Sequence, residues 1–265
     1  MLRTFVERKV RRQIVRRSLI ISVFAFVAIL ALWYSDSMAS LVHPLRMFVN
    51  NIHGGLSALA IQLSGGAVHS FTLSSQGAYR IEFTGGSDAL IFPAGYLGSA
   101  LLGACLFYLA NRAPHLLRGL AMITGVFTVA FMVLFIRPAG AGSMLSMVIC
   151  IGLGVLLIVM GWTGKGDINQ LRSRKTVTQI LMNIVAMMTA LHVILDLSYI
   201  LQAPAMIDGV ITNPVAAFSE RVLPAASVDL IATIWSAIAL AFLGVSVYFS
   251  MLRPLRQIPG NDDIV

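Results

Sequence analysis

The chain has 265 residues, of which 58% are hydrophobic and only 11% are charged, and its mean hydropathy is +0.86. Soluble domains carry about 25% charged residues, so this composition excludes an ordinary soluble protein and predicts a polytopic membrane protein. The net charge of +8 does not indicate nucleic-acid binding, because basic residues of membrane proteins collect in cytoplasmic loops and near lipid headgroups. We therefore expect membrane lipids around the protein and no nucleic-acid partner.

The chain starts with a basic segment. Residues 1–17 carry seven Lys or Arg side chains against the single acid Glu7, and an apolar run follows without a clear small-residue cleavage site. This order is typical of an uncleaved signal anchor with its N-terminus in the cytoplasm, and it suits a bacterial cytoplasmic (inner) membrane. We assign residues 18–251 to one membrane domain and residues 252–265 to a polar C-terminal tail.

Seven apolar runs approach or exceed the ~20 residues that a helix needs to cross the hydrocarbon core. They cover about 18–34, 42–64, 89–110, 118–137, 143–162, 177–200 and 225–251. If all seven cross, the 19 basic residues divide into 10 inside and 9 outside, whereas 15 lie inside if 42–64 enters and leaves by one face. The positive-inside rule therefore predicts an all-α polytopic fold of about six transmembrane helices plus one re-entrant or seventh helix.

The run 42–64 contains the sequence His53-Gly54-Gly55-Leu56-Ser57. In an HExxH helix, two His side chains on one face bind Zn²⁺, and the Glu beside the first His activates the metal-bound water. Here Gly54 stands at the Glu position and Ser57 at the second His position, and no Asp or Glu occurs from 41 to 66 to replace the base. A neutral hydroxyl is a poor zinc ligand. The glycine pair also makes a helix break easier, since each Gly costs about 1 kcal/mol in a helix.

Residues 67–88 depart from the helical pattern. Apolar side chains at 79, 81 and 83 alternate with charged ones at 80 and 82, which is the period of a β-strand. The stretch 68–73 is rich in β-forming residues, 74–77 supplies turn residues, and Gly85-Gly86 closes the unit. We predict a small β-hairpin at the interface or inside the protein, because unpaired strand edges are not tolerated in lipid.

Four ionisable side chains lie well inside the predicted membrane segments: His53, His192, Asp196 and Asp229. Such groups are costly in lipid, so each is a functional candidate. His192 and Asp196 are four residues apart on one helical face, which suits two ligands of one metal, a proton relay or a mutually satisfied pair. Asp229 follows Ser227 at the start of the last run, where either side chain can cap a helix.

Several of these stretches resemble the site-2 protease family of intramembrane zinc metallopeptidases, in its B-type branch. The matching stretches are Ile52–Ala60, Ser64-Gly65-Gly66, Val68-His69-Ser70, Pro93–Leu101 (PAGYLGSAL) and Leu195-Asp196. In that family a Gly-Gly pair and a hairpin follow the zinc helix, PAGYLGS opens the next helix, and a later Asp is the third zinc ligand. Carried over by position, the resemblance makes His53 the first ligand and Asp196 the third, and it marks Gly65, Gly66, Pro93, Gly95 and Tyr96 as motif residues.

The resemblance implies two functions. The first is a catalytically inactive relative, without a cofactor, that binds transmembrane segments of partner proteins; the family's hairpin is thought to align unwound substrates by strand addition, which needs only backbone hydrogen bonds. The alternative is an active metallopeptidase with zinc on the rebuilt ligands His53, His192 and Asp196, and with Asp229 or Glu82 as base. A proton-coupled transporter that uses the His192–Asp196 pair as its relay, and a purely structural subunit, are further alternatives.

Overall fold

The computed structural model describes residues 20–35, 39–73, 79–113, 115–136, 141–162, 168–207 and 210–256. In chain order, its first half contains α1 (Ile20–Trp33), α2 (Ala39–Leu63), β1 (Ala67–Leu73), β2 (Tyr79–Thr84), α3 (Asp88–Arg112) and α4 (Leu117–Phe135). Its second half contains α5 (Ala141–Trp162), α6 (Ile168–Ala190), α7 (His192–Leu195), α8 (Leu197–Gln202), β3 (Met206–Ile207), β4 (Val210–Ile211), α9 (Pro214–Arg221), α10 (Val228–Val247), a π-helical stretch (Tyr248–Leu252) and α11 (Arg253–Arg256).

Four helical stretches in the described residues are long and apolar enough to cross a membrane: Asp88–Arg112, Leu117–Phe135, Met144–Trp162 and Val228–Leu252. α1 and the part of α6 from Thr176 to Ala190 are apolar but shorter. Large apolar side chains such as Ile123, Leu134 and Val148 are exposed on α4 and α5, as expected where lipid is the solvent. The predicted helical membrane protein is thus confirmed, while the number and direction of the crossings stay predictions.

The helix α2 runs without interruption through Gly54 and Gly55. Its 25 residues extend for about 37 Å at 1.5 Å per residue, which is long enough to cross the hydrocarbon. The glycines serve close packing instead of a break: a Cβ on Gly55 would lie 3.4 Å from the Phe131 ring, and Gly54 is packed still more tightly. The re-entrant course of this segment remains a prediction.

The run 177–200, predicted as one span, is interrupted twice. α6 ends at Ala190, and the backbone leaves helical geometry at Leu191 (φ −98, ψ 9) and at Asp196 (φ −93, ψ 5). Side chains at the end of α1 supply donors at this break: Trp33 Nε1 donates to Leu195 O at 2.8 Å, and the Tyr34 hydroxyl donates to Ile194 O at 3.1 Å. Hydrogen bonds from side chains of another segment satisfy the carbonyl groups at the break, so the interrupted helix can exist inside a membrane protein.

The predicted hairpin is confirmed. β1 and β2 pair antiparallel from Ala67 opposite Thr84 to Leu73 opposite Tyr79, with an irregularity between Val68 and Ser70. The predicted turn at 74–77 lies outside the described residues. The hairpin belongs to the largest core cluster, where its inward-facing residue Phe71 is completely buried.

Glycines hold the base of the hairpin between α2 and α3. Gly65 adopts the left-handed conformation (φ 86) that ends α2, and the Gly66 amide donates to Ile61 O at 2.8 Å, which is the bonding pattern of a Schellman cap. A Cβ on Gly66 would lie 2.9 Å from the carbonyl oxygen of Gly85, so the two Gly-Gly pairs pack against each other. The motif residues Gly65 and Gly66 therefore direct the chain from α2 into β1.

Candidate functional site

The site is built on one face of α2. His53 and Ser57 lie one turn apart there, and both are buried. His192, at the start of α7, faces His53 with ring centroids 4.8 Å apart and nearly perpendicular rings. Asp196 is half-buried, and its Oδ2 lies 3.3 Å from His192 Nε2. The tertiary structure thus brings together the three residues His53, His192 and Asp196 that the sequence marked as candidates.

The PAGYLGS stretch of α3 packs directly on this face. A Cβ on Gly95 would lie 2.6 Å from Ser57 Oγ and even closer to His53 Nε2, so only glycine allows α3 to approach α2 here. The next residue, Tyr96, places its ring centroid 4.1 Å from that of His53 in an edge-on contact. Pro93 lies two residues before Gly95 in the same helix. Gly95 and Tyr96 are therefore part of the site, as the resemblance implies.

Hairpin aromatics cover the site from the other side. A Cβ on Gly54 would lie 2.6 Å from Phe71 Cζ and 3.1 Å from Tyr79 Cγ, so these rings occupy the space that a side chain at position 54 would need. The Tyr79 ring also lies 5.1 Å from the His53 ring, and Tyr79 and Ser57 line the same small cavity. Sequence analysis did not assign Phe71 and Tyr79 to the site, although the alternating pattern of the hairpin predicts that Tyr79 faces inward.

The Tyr79 phenol beside His53 is protonated and therefore uncharged. Burial raises the pKa of the Tyr79 phenol, and the neighbouring Ser57 side chain opposes that shift without cancelling it. Since the phenol stays neutral around pH 7, no phenolate is placed beside His53. Ser57 in turn donates its hydroxyl to the His53 carbonyl oxygen at 3.3 Å, a common arrangement for Ser inside a helix.

Two other candidates stand apart from this cluster. Asp229 lies in the first turn of α10, where the Ser227 hydroxyl accepts the Leu230 amide at 3.3 Å, so the predicted cap is confirmed with Ser227 as the capping residue. Glu82 lies on the exposed side of the hairpin and accepts a hydrogen bond from Ser70 Oγ at 2.9 Å.

A scan against models of protein families matches residues 22–249 to one family, described as Peptidase M50B-like. The chain belongs to the Peptidase M50B-like family. This membership confirms the resemblance to site-2 proteases. Comparisons with curated proteins and with solved structures found no match.

Zinc is the metal that an M50B-like peptidase implies, so the donors of this member can be compared with a zinc site. Such a site needs at least three protein donors that converge at about 2.0–2.3 Å from the ion. Among the described residues, no group of three or more His, Cys, Asp or Glu side chains is placed to hold a metal. Asp196 is paired with His192, and the resemblance puts Ser57 at the second-ligand position. The donor set thus departs from the family's zinc site at this position, where a neutral hydroxyl stands in place of an imidazole.

A groove of about 530 Å³ lies beside this M50B-like site, along the outer edge of β2. Three consecutive β2 residues line it: Ile81, Glu82 and Phe83. Because consecutive strand side chains point to opposite faces, a groove that touches all three runs along the backbone edge of the strand. The opposite wall and the ends consist of Gly85, Gly86, Asp88, Met206, Ile211 and Arg221. In the described residues β2 forms a hydrogen-bonded ladder only with β1, and β4 packs against β2 without forming one.

Proposed function

We propose that this chain is a non-proteolytic member of the Peptidase M50B-like family that holds extended segments of other membrane proteins. The observation that carries the proposal is the packing of Phe71 and Tyr79 against Gly54, at the position where the resemblance puts the catalytic Glu. A metallopeptidase needs that carboxylate to activate water. Here two aromatic rings of the hairpin fill the space that the carboxylate would use.

The surroundings of His53 support the same conclusion. His53 is 1% exposed and is enclosed by the rings of Tyr79, Tyr96 and His192. Hydrolysis requires water at the metal, and a fully covered imidazole leaves little room for it. The packing is that of a closed core and not that of an open catalytic position.

The binding part of the proposal is supported by the edge of β2 that forms no ladder, where an added strand would displace β4. Addition of a strand to such an edge uses main-chain hydrogen bonds for affinity and needs neither metal nor base. The groove beside Ile81–Phe83 gives access to this edge, and the β3–β4 hairpin forms its far wall. A family member can therefore lose the ability to hydrolyse peptide bonds and still bind an extended segment.

The contact between His53 and His192 favours one alternative. Their ring centroids are 4.8 Å apart, and Asp196 Oδ2 lies 3.3 Å from His192 Nε2. A modest rearrangement would bring these three donors to one Zn²⁺ and give an active metallopeptidase with rebuilt ligands.

Elemental analysis of the purified, detergent-solubilised protein decides between the two functions. The matched variants are His53→Ala, within the cluster, and His115→Ala, an exposed histidine outside it. We expect no stoichiometric zinc in any of the three proteins, even after dialysis against zinc. About one zinc per chain that is lost in His53→Ala and kept in His115→Ala would overturn the non-proteolytic function in favour of the rebuilt site.

The binding role is tested by closing the groove. In the double variant Ile81→Cys, Ile211→Cys, a short thiol cross-linker ties β2 to β4 across the groove. The probe is a fluorescent single-pass peptide with an extended juxtamembrane segment, titrated against the protein in nanodiscs. We expect the cross-linked form to bind the probe at least ~10-fold more weakly than the same variant before cross-linking. Equal binding by both forms would contradict a role for the β2 edge.

A further inference from the structure

A second groove, of about 420 Å³, lies between α3 and the helix formed by α10 and the π-helical stretch. We call it the α3–α10 groove. Its walls are mostly apolar and consist of Cys105, Tyr108, Leu109, Val245, Ser246 and Phe249. Cys105, Val245 and Phe249 are exposed, so the groove opens at the outer surface of the helix assembly, where lipid is the solvent. Its volume is within the range of about 300–1,000 Å³ that is usual for ligand sites.

α3 and α10 run parallel, and each ends in an arginine beyond the groove. The Tyr96 and Trp235 ring centroids are 6.2 Å apart in the first half of both helices, and the α3–α10 groove lies farther along both. Arg112 is in the last turn of α3. Arg253 comes one turn after Phe249, and its guanidinium carbon is 5.5 Å from the Phe249 ring centroid. Because helical side chains cover the turn before their own Cα, both arginines border the same end of the groove.

The positive charge at this end of the groove is not compensated by the protein. Arg112 and Arg253 are exposed, and neither forms an ion pair with a carboxylate among the described residues. The stretches 105–118 and 245–261 carry two more arginines and no Asp or Glu. Basic clusters at the ends of membrane helices attract anionic lipid headgroups, and a guanidinium can bind a phosphate through two parallel hydrogen bonds. The charged end and the apolar walls together match the two parts of a phospholipid.

We infer that the α3–α10 groove binds one phospholipid with an anionic headgroup. Its acyl chain lies along the apolar walls, and its phosphate contacts Arg112 and Arg253. Phosphatidylcholine carries the same phosphate, but the arginines repel its choline cation, so the site selects lipids with a net negative charge. The π-helical stretch that forms one wall is in accord with a binding role, because π-helical turns are rare and occur frequently at functional sites.

This lipid site is independent of the proposed function. The β2 groove includes Asp88, the first residue of α3, whereas the lipid site lies at the last turns of the same helix. The lipid contacts α3 and the π-helical stretch at once, so it joins two helices that no ion pair joins among the described residues.

Native mass spectrometry of the full-length protein in detergent tests the site. The protein is titrated with phosphatidylglycerol or with phosphatidylcholine of identical acyl chains, and the fraction that carries one lipid gives each affinity. The charge variant is Arg112→Gln, Arg253→Gln. Its matched control, Arg80→Gln, Arg221→Gln, removes two exposed arginines outside the groove.

A second pair of variants tests the apolar part of the site. Val245→Trp fills the groove and leaves its charges in place, and Val148→Trp makes the same change on the exposed side of α5. Cys105→Phe fills the groove from α3 and replaces Val245→Trp if that variant does not fold.

We expect the wild-type protein to bind phosphatidylglycerol about 10-fold more tightly than phosphatidylcholine. The charge variant should bind phosphatidylglycerol about 10- to 30-fold more weakly, as for the loss of two basic side chains beside an anionic lipid. Val245→Trp should bind both lipids at least ~3-fold more weakly, because close packing favours the groove when the alternative surroundings are equally apolar. Both controls should stay within about 2-fold of the wild type.

Four results would overturn the site. Equal wild-type affinity for the two lipids would exclude anionic selectivity. Equal losses in the charge variant and its control would indicate attraction to the net charge of the protein alone. Wild-type affinity in the groove-filling variant would place the lipid outside the groove. A wild-type dimer that Val245→Trp abolishes would assign the groove to a second copy of the chain.

Discussion

Two clusters of polar side chains lie inside this membrane protein, and they differ in how completely they are hydrogen-bonded. The first joins α3, α6 and α1. Asn111 Nδ2 donates to Asn183 Oδ1 at 2.8 Å, Gln179 Nε2 donates to Asn111 Oδ1 at 3.2 Å, and Asn183 Nδ2 donates to Ser22 Oγ at 3.0 Å. We call these four residues the amide network. Each of its members has a partner, as buried polar groups require.

The second cluster is the site on α2, and it keeps unpaired groups. His53 Nδ1 and His192 Nδ1 have no hydrogen-bond partner among the described residues. An unsatisfied buried polar group costs about 1–3 kcal/mol. The amide network therefore stabilises the helix assembly, whereas the site lowers stability and is held in place by aromatic packing. This contrast is the pattern expected of a structural cluster and a functional one.

The largest expected effect comes from restoring the carboxylate at position 54. Gly54→Glu should lower the free energy of unfolding by about 4 kcal/mol or more, because the new side chain meets Phe71 and buries a charge. Gly54→Ala should cost about 1–3 kcal/mol through overpacking. Unfolding of the detergent-solubilised protein by denaturing detergent measures both.

Gly55→Ala is the matched control for this pair. Its Cβ would lie 3.4 Å from the Phe131 ring, and Ala gains about 1 kcal/mol in helix propensity, so we expect little net change. Phe71→Ala in the Gly54→Ala background should cost less than the sum of the single changes. Wild-type stability of the Gly54→Glu variant would show that the hairpin does not occupy this space. The site could then no longer be contrasted with the amide network as a cluster held by aromatic packing.

Breaking the amide network should have the next largest effect. Asn183→Leu removes three hydrogen bonds, two with Asn111 and one with Ser22. Asn111 keeps its bonds to Phe107 O and Gln179, whereas the Ser22 hydroxyl loses the donor that it accepts. We expect a loss of about 1–2 kcal/mol, given the ~0.6 kcal/mol of an average hydrogen bond in a membrane protein and the added desolvation. The same unfolding measurement checks it. A neutral result would remove the basis for calling this network structural.

Removing His53 should have a smaller effect than removing Asn183. His53→Ala loses ring contacts with Tyr96 and Tyr79 but also removes an unpaired buried nitrogen, so we expect a change within about 1 kcal/mol. Binding of the fluorescent probe should stay nearly unchanged, since the β2 edge is untouched. A large loss of stability or of probe binding would show that the imidazole supports a bound metal or the fold.

The smallest effect is expected at the second-ligand position. Ser57→Ala should change the free energy of unfolding by no more than about 0.5 kcal/mol, because the hydroxyl mainly bonds its own helix and the half-buried Tyr79 hydroxyl can turn to water. The unfolding titration used for His53→Ala also measures this variant. A cost above 2 kcal/mol would mean that Ser57 and Tyr79 form a structural link as strong as the amide network.

Several features follow from local sequence alone. Continuous apolar runs predict the membrane helices because lipid forces every backbone group to bond within its own segment. The alternation over 79–83 predicts the hairpin, and Ser227 predicts the start of α10, since both depend on neighbours in the chain. The resemblance to the family's PAGYLGS motif marks Gly95, and the structure shows that this glycine allows α3 to approach α2 closely.

Long-range packing decided the rest. No periodicity in the sequence predicts the break at Asp196, because it depends on donors from Trp33 and Tyr34 about 160 residues away. The filling of the space beside Gly54 by Phe71 likewise depends on how the hairpin folds back on α2. The sequence places this protein in a peptidase family, and the resemblance puts Gly54 at the position of the catalytic Glu. Only the tertiary structure shows that the rings of Phe71 and Tyr79 occupy the space beside Gly54. The contact joins α2 to the hairpin, and the separation of two segments along the chain does not reveal how close they lie in space.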